Sequence, residues 1–156
     1  MIEVDIPGFG RLGLKYLVLD YNGTMALHGE PIPGVRERLQ SLAPDLSIHV
    51  VTADNFGTVR ERLADYPCTI ETLARGGEDL AKQRFVERLG TDGAACIGNG
   101  RNDRRMLEAA ALAIVVVCPE GAAVESLQAS DIAVASINDA LDLLLNPLRL
   151  VATLRS

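Results

Sequence analysis

The sequence predicts a layered α/β protein with a mostly parallel central sheet, and two observations favour that fold class. Mainly apolar runs, mostly rich in Val and Ile, recur along the chain and are separated by amphipathic or Ala/Leu-rich segments. The hydrophobic fraction is 48% with only 4% aromatic residues, which is typical of cores built from Leu, Val, Ile and Ala. At 156 residues the chain is expected to form one domain, 1–156, with a substantial core.

The apolar runs predict the strands of this sheet, and a shorter alternating segment precedes them. In that segment Ile2, Val4 and Ile6 alternate with polar residues, which predicts a half-buried edge strand before the Pro-Gly turn at 7–8. Pairing of this strand as a hairpin with the strand that ends at Asp20 is one arrangement open to it. The predicted sheet strands are 16–19, 48–51, 94–97, 112–117 and 132–135.

Helices are predicted between the strands, and the second and last have expected N-caps at Asn55 and Ser136. Asp54 is expected to be a turn or cap residue before the second helix. The predicted helices are 34–43, 57–65, 78–89, 102–110, 121–128 and 137–145.

The C-terminal stretch 136–155 is apolar on one face, and Pro147 is expected to interrupt it. We expect this face to pack on the sheet, with a homo-oligomer contact as the alternative. Its members at helical spacing are Leu141, Leu144, Leu145, Leu148 and Val151.

Composition argues against several classes of partner. The formal net charge is −6 and the Arg residues are scattered, which argues against nucleic-acid binding. No run reaches the roughly 18 apolar residues that span a bilayer, and the N-terminus lacks the pattern of a signal peptide, so a cytoplasmic protein without membrane contact is expected. Cys68, Cys96 and Cys118 lack zinc-site spacing and are interpreted as reduced, buried small hydrophobes.

Residues 17–24, LVLDYNGT, predict a chemically active position at Asp20. A fully apolar run suits a parallel strand buried on both faces, and ligands of such sheets bind beyond the carboxyl ends of the strands. Asp20 is therefore a candidate nucleophile or metal ligand. The alternative is an Asp that simply begins a turn, since Asp, Asn and Gly dominate turns.

Three further segments fit phosphate chemistry around Asp20. Thr52 follows the strand at 48–51, so its hydroxyl would lie at the same sheet edge and could bind a phosphoryl oxygen. Lys82 lies in a charged helical segment, where an exposed surface position is the ordinary alternative. In the segment GNGRND, Asn99, Asn102 and Asp103 offer oxygen atoms of the kind Mg²⁺ prefers, although a glycine-rich turn capped by Asn102 or Asp103 would look similar.

The chain resembles the haloacid-dehalogenase-like hydrolase superfamily over nearly its whole length. Four features match the four motifs of that superfamily in order: DYNGT, a strand ending in Thr, a Lys and GNGRND. GNGRND is similar to the GDGxND of P-type ATPases and related phosphatases, and the chain resembles their small soluble relatives. The resemblance implies a Rossmann-like three-layer sandwich without a cap domain. It also implies a Mg²⁺-dependent phosphatase that acts on a phosphorylated substrate.

The resemblance assigns the metal site and the nucleophile. Asp20 would attack phosphorus and carry an aspartyl-phosphate. Mg²⁺ would bind the Asp20 carboxylate, the backbone carbonyl of Asn22, and an oxygen from Asn99 or Asp103. Either of the last two residues fits that third position.

The resemblance also assigns the phosphate-binding residues. Lys82 would supply a second cation and Thr52 a hydrogen bond to the phosphoryl group, with Ala53 beside it. Gly23 and Thr24 would shape the loop and contribute to the same phosphate site.

Two positions depart from the family pattern. Asn22 stands where related phosphatases have an Asp that serves as general acid and base, and Asn99 stands where the pattern has a metal-binding Asp. Because an amide cannot exchange that proton, a slow phosphatase or a long-lived phosphoenzyme is expected. The alternative is a non-catalytic or regulatory domain that binds a phosphorylated ligand or partner, and a weaker one is a phospho-accepting switch like a response-regulator receiver.

The predicted site is open. Only about two dozen residues separate Asp20 from the next sheet strand, which are too few for the folded lid that many relatives insert there. Such a site could take a macromolecular phosphate, or a small one covered by a neighbouring subunit. His28, in the intervening segment, is expected to be an exposed loop residue.

Overall fold

The computed structural model describes residues 1–53 and 57–156, in which a six-stranded parallel sheet is flanked by helices. The expected caps Asp54 and Asn55 lie outside these residues. In chain order the strands are β1 (Ile2–Ile6), β2 (Gly10–Leu14), β3 (Tyr16–Asp20), β4 (Ala26–Leu27), β5 (Glu30–Pro31), β6 (Ser47–Thr52), β7 (Thr69–Thr72), β8 (Ala94–Gly98), β9 (Leu112–Val116) and β10 (Ile132–Val134). The helices are α1 (Val35–Leu42), α2 (Thr58–Arg62), α3 (Glu78–Leu89), α4 (Arg104–Ala109), α5 (Val124–Gln128), α6 (Ile137–Leu145) and α7 (Leu148–Leu154), with 3₁₀ turns at Thr91–Gly93 and Arg101–Asp103.

The order of strands places β3 at the centre of the sheet. The order is β10-β9-β8-β3-β6-β7, and every neighbouring pair is parallel. The chain runs outward from β3 to β6 and β7, then crosses to β8 on the other side and continues to β9 and β10. The switch point therefore lies between β3 and β8, where ligands of open parallel sheets bind.

Two hydrophobic layers cover the sheet because successive side chains of each strand point to opposite faces. Leu17 and Leu19 of β3 pack in the layer that contains α1 and α6, whereas Val18 packs in the layer that contains α3 and α4. Both faces are buried, which explains why the strand sequences are apolar throughout rather than alternating. This arrangement confirms the predicted three-layer fold class.

The five apolar runs are all strands of the central sheet, within two residues of the predicted limits. Helix α3 has the predicted bounds, and α6 also does, with Ser136 as its N-cap: the Asp139 N–H donates to the Ser136 hydroxyl. The segment predicted as one helix at 102–110 begins instead as the Arg101–Asp103 3₁₀ turn and continues as α4.

The N-terminal strand is real, but its predicted partner and place are wrong. β1 pairs antiparallel with β2 in a separate two-stranded sheet, rather than with β3 at the edge of the central sheet. The turn is short, with the Phe9 N–H donating to the Ile6 carbonyl at 3.0 Å and Gly8 at a φ of 82°. The next residues after such a turn return along β1, so β2 takes the place that β3 was expected to fill.

The C-terminal apolar face packs only in part as predicted. Leu141 and Leu144 of α6 are buried, but Leu148 is 81% exposed and Leu150 is buried in its place. The helix restarts after Pro147, and this restart changes the phase of the apolar face. Leu145 and Val151 are half-buried against the core.

The three cysteines are free thiols, but only Cys96 is buried as predicted. Cys68 and Cys118 are half-buried, and burial raises the pKa of the Cys68 thiol to about 11. In residues 1–53 and 57–156, no helix is both long enough and apolar enough to cross a membrane.

Candidate active site

The carboxyl ends of β3, β6 and β8 meet at one edge of the sheet and form the floor of a cleft of about 560 Å³. Asp20 ends β3, Thr52 ends β6 and Asn99 follows β8, and all three line the cleft. They come together because β6 and β8 are the two neighbours of β3 in the sheet. Asn22, Ala53 and Lys82 also line this cleft.

Lys82 reaches the floor of the cleft from α3 and joins two carboxylates. Its Nζ atom lies 2.7 Å from Oδ1 of Asp20 and 2.6 Å from Oδ1 of Asp103. The Lys82 side chain is only 1% exposed, and the side chains of Asp20 and Asp103 are 10% and 0% exposed. Lys82 is therefore a buried partner of Asp20 rather than a surface lysine.

The electrostatics of this cluster follow from its burial. Burial is the largest cause that raises the pKa of Asp20, and the charge of Asp103 is the second; together they bring it to about 7 against the opposing effects of Lys82 and Thr24. For Lys82, burial lowers the pKa, but the two carboxylates outweigh burial and raise it above its ordinary value. Two carboxylates face one ammonium group, so the fully ionised cluster keeps an unbalanced negative charge that favours a cation nearby.

Asp103 is held by the backbone of the loop that precedes it. Its Oδ2 atom accepts hydrogen bonds from the N–H groups of Asn99 and Gly100, each at 2.9 Å, while its Oδ1 atom faces Lys82. Gly98 makes room for this carboxylate, because a Cβ atom there would lie 2.6 Å from the Asp103 Cγ atom. Both carboxylate oxygens thus face protein donors, which favours Asn99 over Asp103 as the direct metal ligand.

Thr24 links Asp20 and Asn99 through a single hydroxyl group. The Thr24 Oγ1 atom lies 3.2 Å from Oδ2 of Asp20 and 3.2 Å from Oδ1 of Asn99, and all three residues are buried. Because a hydroxyl carries one hydrogen, only one of these two oxygens receives it at a time. Oδ2 of Asp20 and Oδ1 of Asn99 thus share one donor, and they lie beside an excess negative charge. Oxygen atoms in such a setting are suited to bind a hard cation such as Mg²⁺.

Gly23 and Thr24 shape the loop after β3 and are not among the described residues that line the cleft. The Gly23 N–H donates to the Ala26 carbonyl at 2.8 Å, and the Thr24 N–H donates to the Tyr21 carbonyl at 3.3 Å. Gly23 has a φ of 77°, a conformation that suits glycine. Of the five predicted phosphate-binding residues, Thr52, Ala53 and Lys82 line the cleft.

The loop between β3 and α1 contains the small β4–β5 hairpin, and no folded lid lies there. His28 in this hairpin is exposed, as expected, and has a positive φ of 51°. Arg62 of α2 lines the cleft and forms an ion pair with Glu30 at 2.8 Å and a hydrogen bond with the Gly29 carbonyl. These contacts join the hairpin to α2 along one side of the cleft.

The residues that line the cleft and were not singled out from the sequence include Tyr21, Arg62, Glu78 and Glu120. Glu120 had a usable signal, since it lies just beyond the carboxyl end of a predicted strand. Arg62 and Glu78 had none, because they belong to amphipathic helices in which charged residues normally face solvent.

Comparisons with known proteins identify one characterised fold and one uncharacterised relative. No established protein-family profile matches the chain. The chain is 46% identical over 84 residues to the uncharacterized protein MJ0073 of Methanocaldococcus jannaschii, an alignment that covers 51% of the chain and 90% of that protein.

Solved structures resemble the whole fold. The cobalt-bound deoxy-D-mannose-octulosonate 8-phosphate phosphatase of Haemophilus influenzae aligns with a TM-score of 0.73 and 16% identity, over 92% of this chain and 94% of its own. The Moraxella catarrhalis 3-deoxy-D-manno-octulosonate 8-phosphate phosphatase, in complex with magnesium, phosphate and KDO, aligns with a TM-score of 0.72 and 16% identity, over 90% of each chain. A Legionella pneumophila protein, assigned to subfamily III A of the HAD superfamily hydrolases, aligns with a TM-score of 0.67 and 18% identity, over 90% of this chain and 87% of its own.

Proposed function

The chain belongs to the family of the uncharacterized Methanocaldococcus jannaschii protein MJ0073 and has the fold of the haloacid-dehalogenase-like hydrolases, and we propose that it is a Mg²⁺-dependent phosphohydrolase. One observation carries the proposal: Asp20 lies buried at the switch point of the sheet, 2.7 Å from the Lys82 ammonium and joined to Asn99 through Thr24. A carboxylate placed among a cation and oxygen ligands suits phosphoryl transfer, which depends mainly on positioning and electrostatics.

In the proposed reaction Asp20 is the nucleophile. A carboxylate oxygen of Asp20 bonds to phosphorus, and the bond from phosphorus to the leaving oxygen breaks with its electron pair on that oxygen. Water then attacks the aspartyl-phosphate and releases inorganic phosphate and free Asp20. Lys82 holds Asp20 in place and offers positive charge to the phosphoryl group. Thr52, which lines the same cleft, would donate from its hydroxyl to a phosphoryl oxygen.

The metal site of this proposal consists of oxygen ligands. Asp20, Asn99 and the backbone carbonyl of Asn22 would hold Mg²⁺, which when bound supplies charge neutralisation for the transferring phosphoryl group. The magnesium-containing Moraxella catarrhalis phosphatase has the same fold, which supports this choice of cation.

Asn22 sets the rate in this proposal. Its side chain is exposed at the cleft, but an amide neither gives nor takes the proton that the leaving group and the attacking water exchange. Water must carry that proton, so turnover is expected to be slow. The same residue favours the second candidate function, a domain that binds a phosphorylated ligand or partner without turning it over.

The test compares turnover of p-nitrophenyl phosphate with and without Mg²⁺ for the natural protein, Asp20→Asn and Asp65→Asn. Asp65 is an exposed residue outside the cleft, so its variant carries the same change of charge and serves as the control. We expect Asp20→Asn to lose at least about 10³-fold in turnover, because the nucleophile is removed, and Asp65→Asn to retain activity.

Equal turnover by the natural protein and Asp20→Asn would contradict a role for Asp20 as nucleophile. Intact-mass spectrometry after incubation with acetyl phosphate separates the two candidate functions. A phosphoryl adduct on the natural protein that is missing from Asp20→Asn supports the enzyme, whereas binding of phosphate with neither adduct nor turnover supports the binding domain.

A further inference from the structure

Glu120 lies in a tight turn between β9 and α5, in a part of the chain to which the proposed function assigns no role. The Gly121 N–H donates to the Cys118 carbonyl at 2.7 Å, and Gly121 has a φ of 78°. The turn therefore consists of Cys118–Gly121, with Pro119 and Glu120 at its two central positions. Its short closure fixes the direction in which Glu120 leaves the backbone.

Three contacts attach this turn to the active-site loops. The Asn99 Nδ2 atom donates to the Gly121 carbonyl at 3.1 Å, and the Ala123 N–H donates to the Asn99 carbonyl at 2.8 Å. The Cys118 thiol donates to the Gly23 carbonyl at 2.8 Å. The amide of Asn99 therefore has two roles, because its oxygen faces Asp20 through Thr24 while its nitrogen holds the turn.

The Glu120 carboxylate lies beside the amide of Asn99. The point that a Cβ atom on Gly23 would occupy is 2.5 Å from the Glu120 Oε2 atom and 2.7 Å from the Asn99 Nδ2 atom. Glu120 lines the same cleft as Asp20 and Asn22. Within residues 1–53 and 57–156, no group forms a hydrogen bond or an ion pair with the Glu120 carboxylate, so its charge is available at the cleft.

We propose that Glu120 supplies the second carboxylate of the divalent-cation site, in compensation for the amide at Asn99. The inference rests on the Mg²⁺ site of the proposed function and adds a residue to it. The number of charged ligands helps to set the affinity for hard cations, and Asp20 with Asn99 alone offers one carboxylate. A carboxylate at position 99 would have no N–H to donate to the Gly121 carbonyl. The amide at position 99 therefore holds the turn, and the acid at position 120 supplies the negative charge that the amide lacks.

Isothermal titration calorimetry with MgCl₂ tests this inference on the full chain. Glu120→Gln keeps the size of the side chain and removes its charge, and we expect the dissociation constant for Mg²⁺ to rise about 10-fold or more. Glu125→Gln is the matched control, because Glu125 lies five residues along, outside the cleft, and forms an ion pair with Arg101. Unchanged affinity in Glu120→Gln, or an equal loss in both variants, would overturn the proposal.

A second variant tests the compensation itself. In the double variant Asn99→Asp with Glu120→Gln, the carboxylate count returns to its natural value, so affinity is expected to recover to within about threefold of the natural protein. An affinity no better than that of Glu120→Gln would show that the two positions do not compensate. Mg²⁺ binding without turnover would contradict the proposed function alone, whereas turnover without any loss of affinity in Glu120→Gln would contradict this inference alone.

Discussion

The two sides of the cleft hold their polar groups in different ways. On the α3 side, Lys82 lies within 2.7 Å of Asp20 and Asp103, and these side chains are almost excluded from solvent. On the loop side, Asn22 is exposed and Asn99 is held by neutral hydrogen bonds to the loops around it. A buried charge without its partner is costly, whereas an acid can replace the amide at the exposed Asn22 without burying a charge. Stability therefore restricts the α3 side, and chemistry can vary on the loop side.

Removing Lys82 is expected to have the largest effect on the fold. Lys82→Met leaves Asp20 and Asp103 buried without a cation, and we expect the free energy of unfolding in urea to fall by about 3–5 kcal/mol. Lys15→Met is the control, because Lys15 is the only other lysine and is exposed.

The cause of that loss can be separated from lost packing by a second variant. Adding Asp103→Asn to Lys82→Met removes one of the two unpaired charges and should recover part of the stability. If Lys82→Met is no less stable than Lys15→Met, the comparison between the two sides fails, because the buried charges would then need no partner.

A change on the loop side should alter the chemistry and leave the fold intact. Asn22→Asp supplies a group that can exchange a proton at the cleft, and we expect steady-state turnover of p-nitrophenyl phosphate to rise about 100-fold, or about 3 kcal/mol in the barrier. The melting temperature should stay close to the natural value, because Asn22 is exposed. Asn146→Asp, an exposed position outside the cleft, should leave turnover unchanged.

Turnover that does not rise in a folded Asn22→Asp variant that still binds Mg²⁺ would show that proton exchange does not limit the reaction. A large fall in melting temperature would instead show that the loop side is as restricted as the α3 side.

The sheet was predictable from sequence because its strands are buried on both faces and their apolar runs stand out. β2 and β7 were not predicted, and their residues explain why. β2 reads GRLGL, with two glycines, and β7 reads TIET, a polar strand at the edge of the sheet. Neither forms an apolar run like the five by which the predicted strands of the central sheet were recognised. The pairing of β1 with β3 was predicted wrongly for a related reason, because β2, the actual partner of β1, was not recognised in the sequence.

The floor of the cleft was predictable for a different reason. Asp20, Thr52 and Asn99 each follow an apolar run, and parallel topology brings such positions to one edge. The direction of the Asp103 carboxylate was not predictable, because it depends on two backbone N–H groups and on the space beside Gly98. Glu120 had a signal in the sequence, because it lies just beyond a predicted strand, but the position of its turn depends on the Asn99 amide, a contact distant in sequence.

A substitution at Gly98 is the mildest test of the difference between the two sides of the cleft, because it disturbs the α3 side without removing a charge. Gly98→Ala places a methyl group 2.6 Å from the Asp103 Cγ atom, so the carboxylate must move away from Lys82 or from the loop N–H groups. We expect a loss of about 1–3 kcal/mol in the free energy of unfolding, as for other overpacked cores. Gly13→Ala is the control, since its Cβ atom would meet nothing closer than the Met1 Sδ atom at 3.9 Å, and it should be neutral or slightly stabilising. Equal stability of the two variants would mean that Asp103 can shift freely, and the α3 side would then owe its rigidity to the ion pairs rather than to close packing.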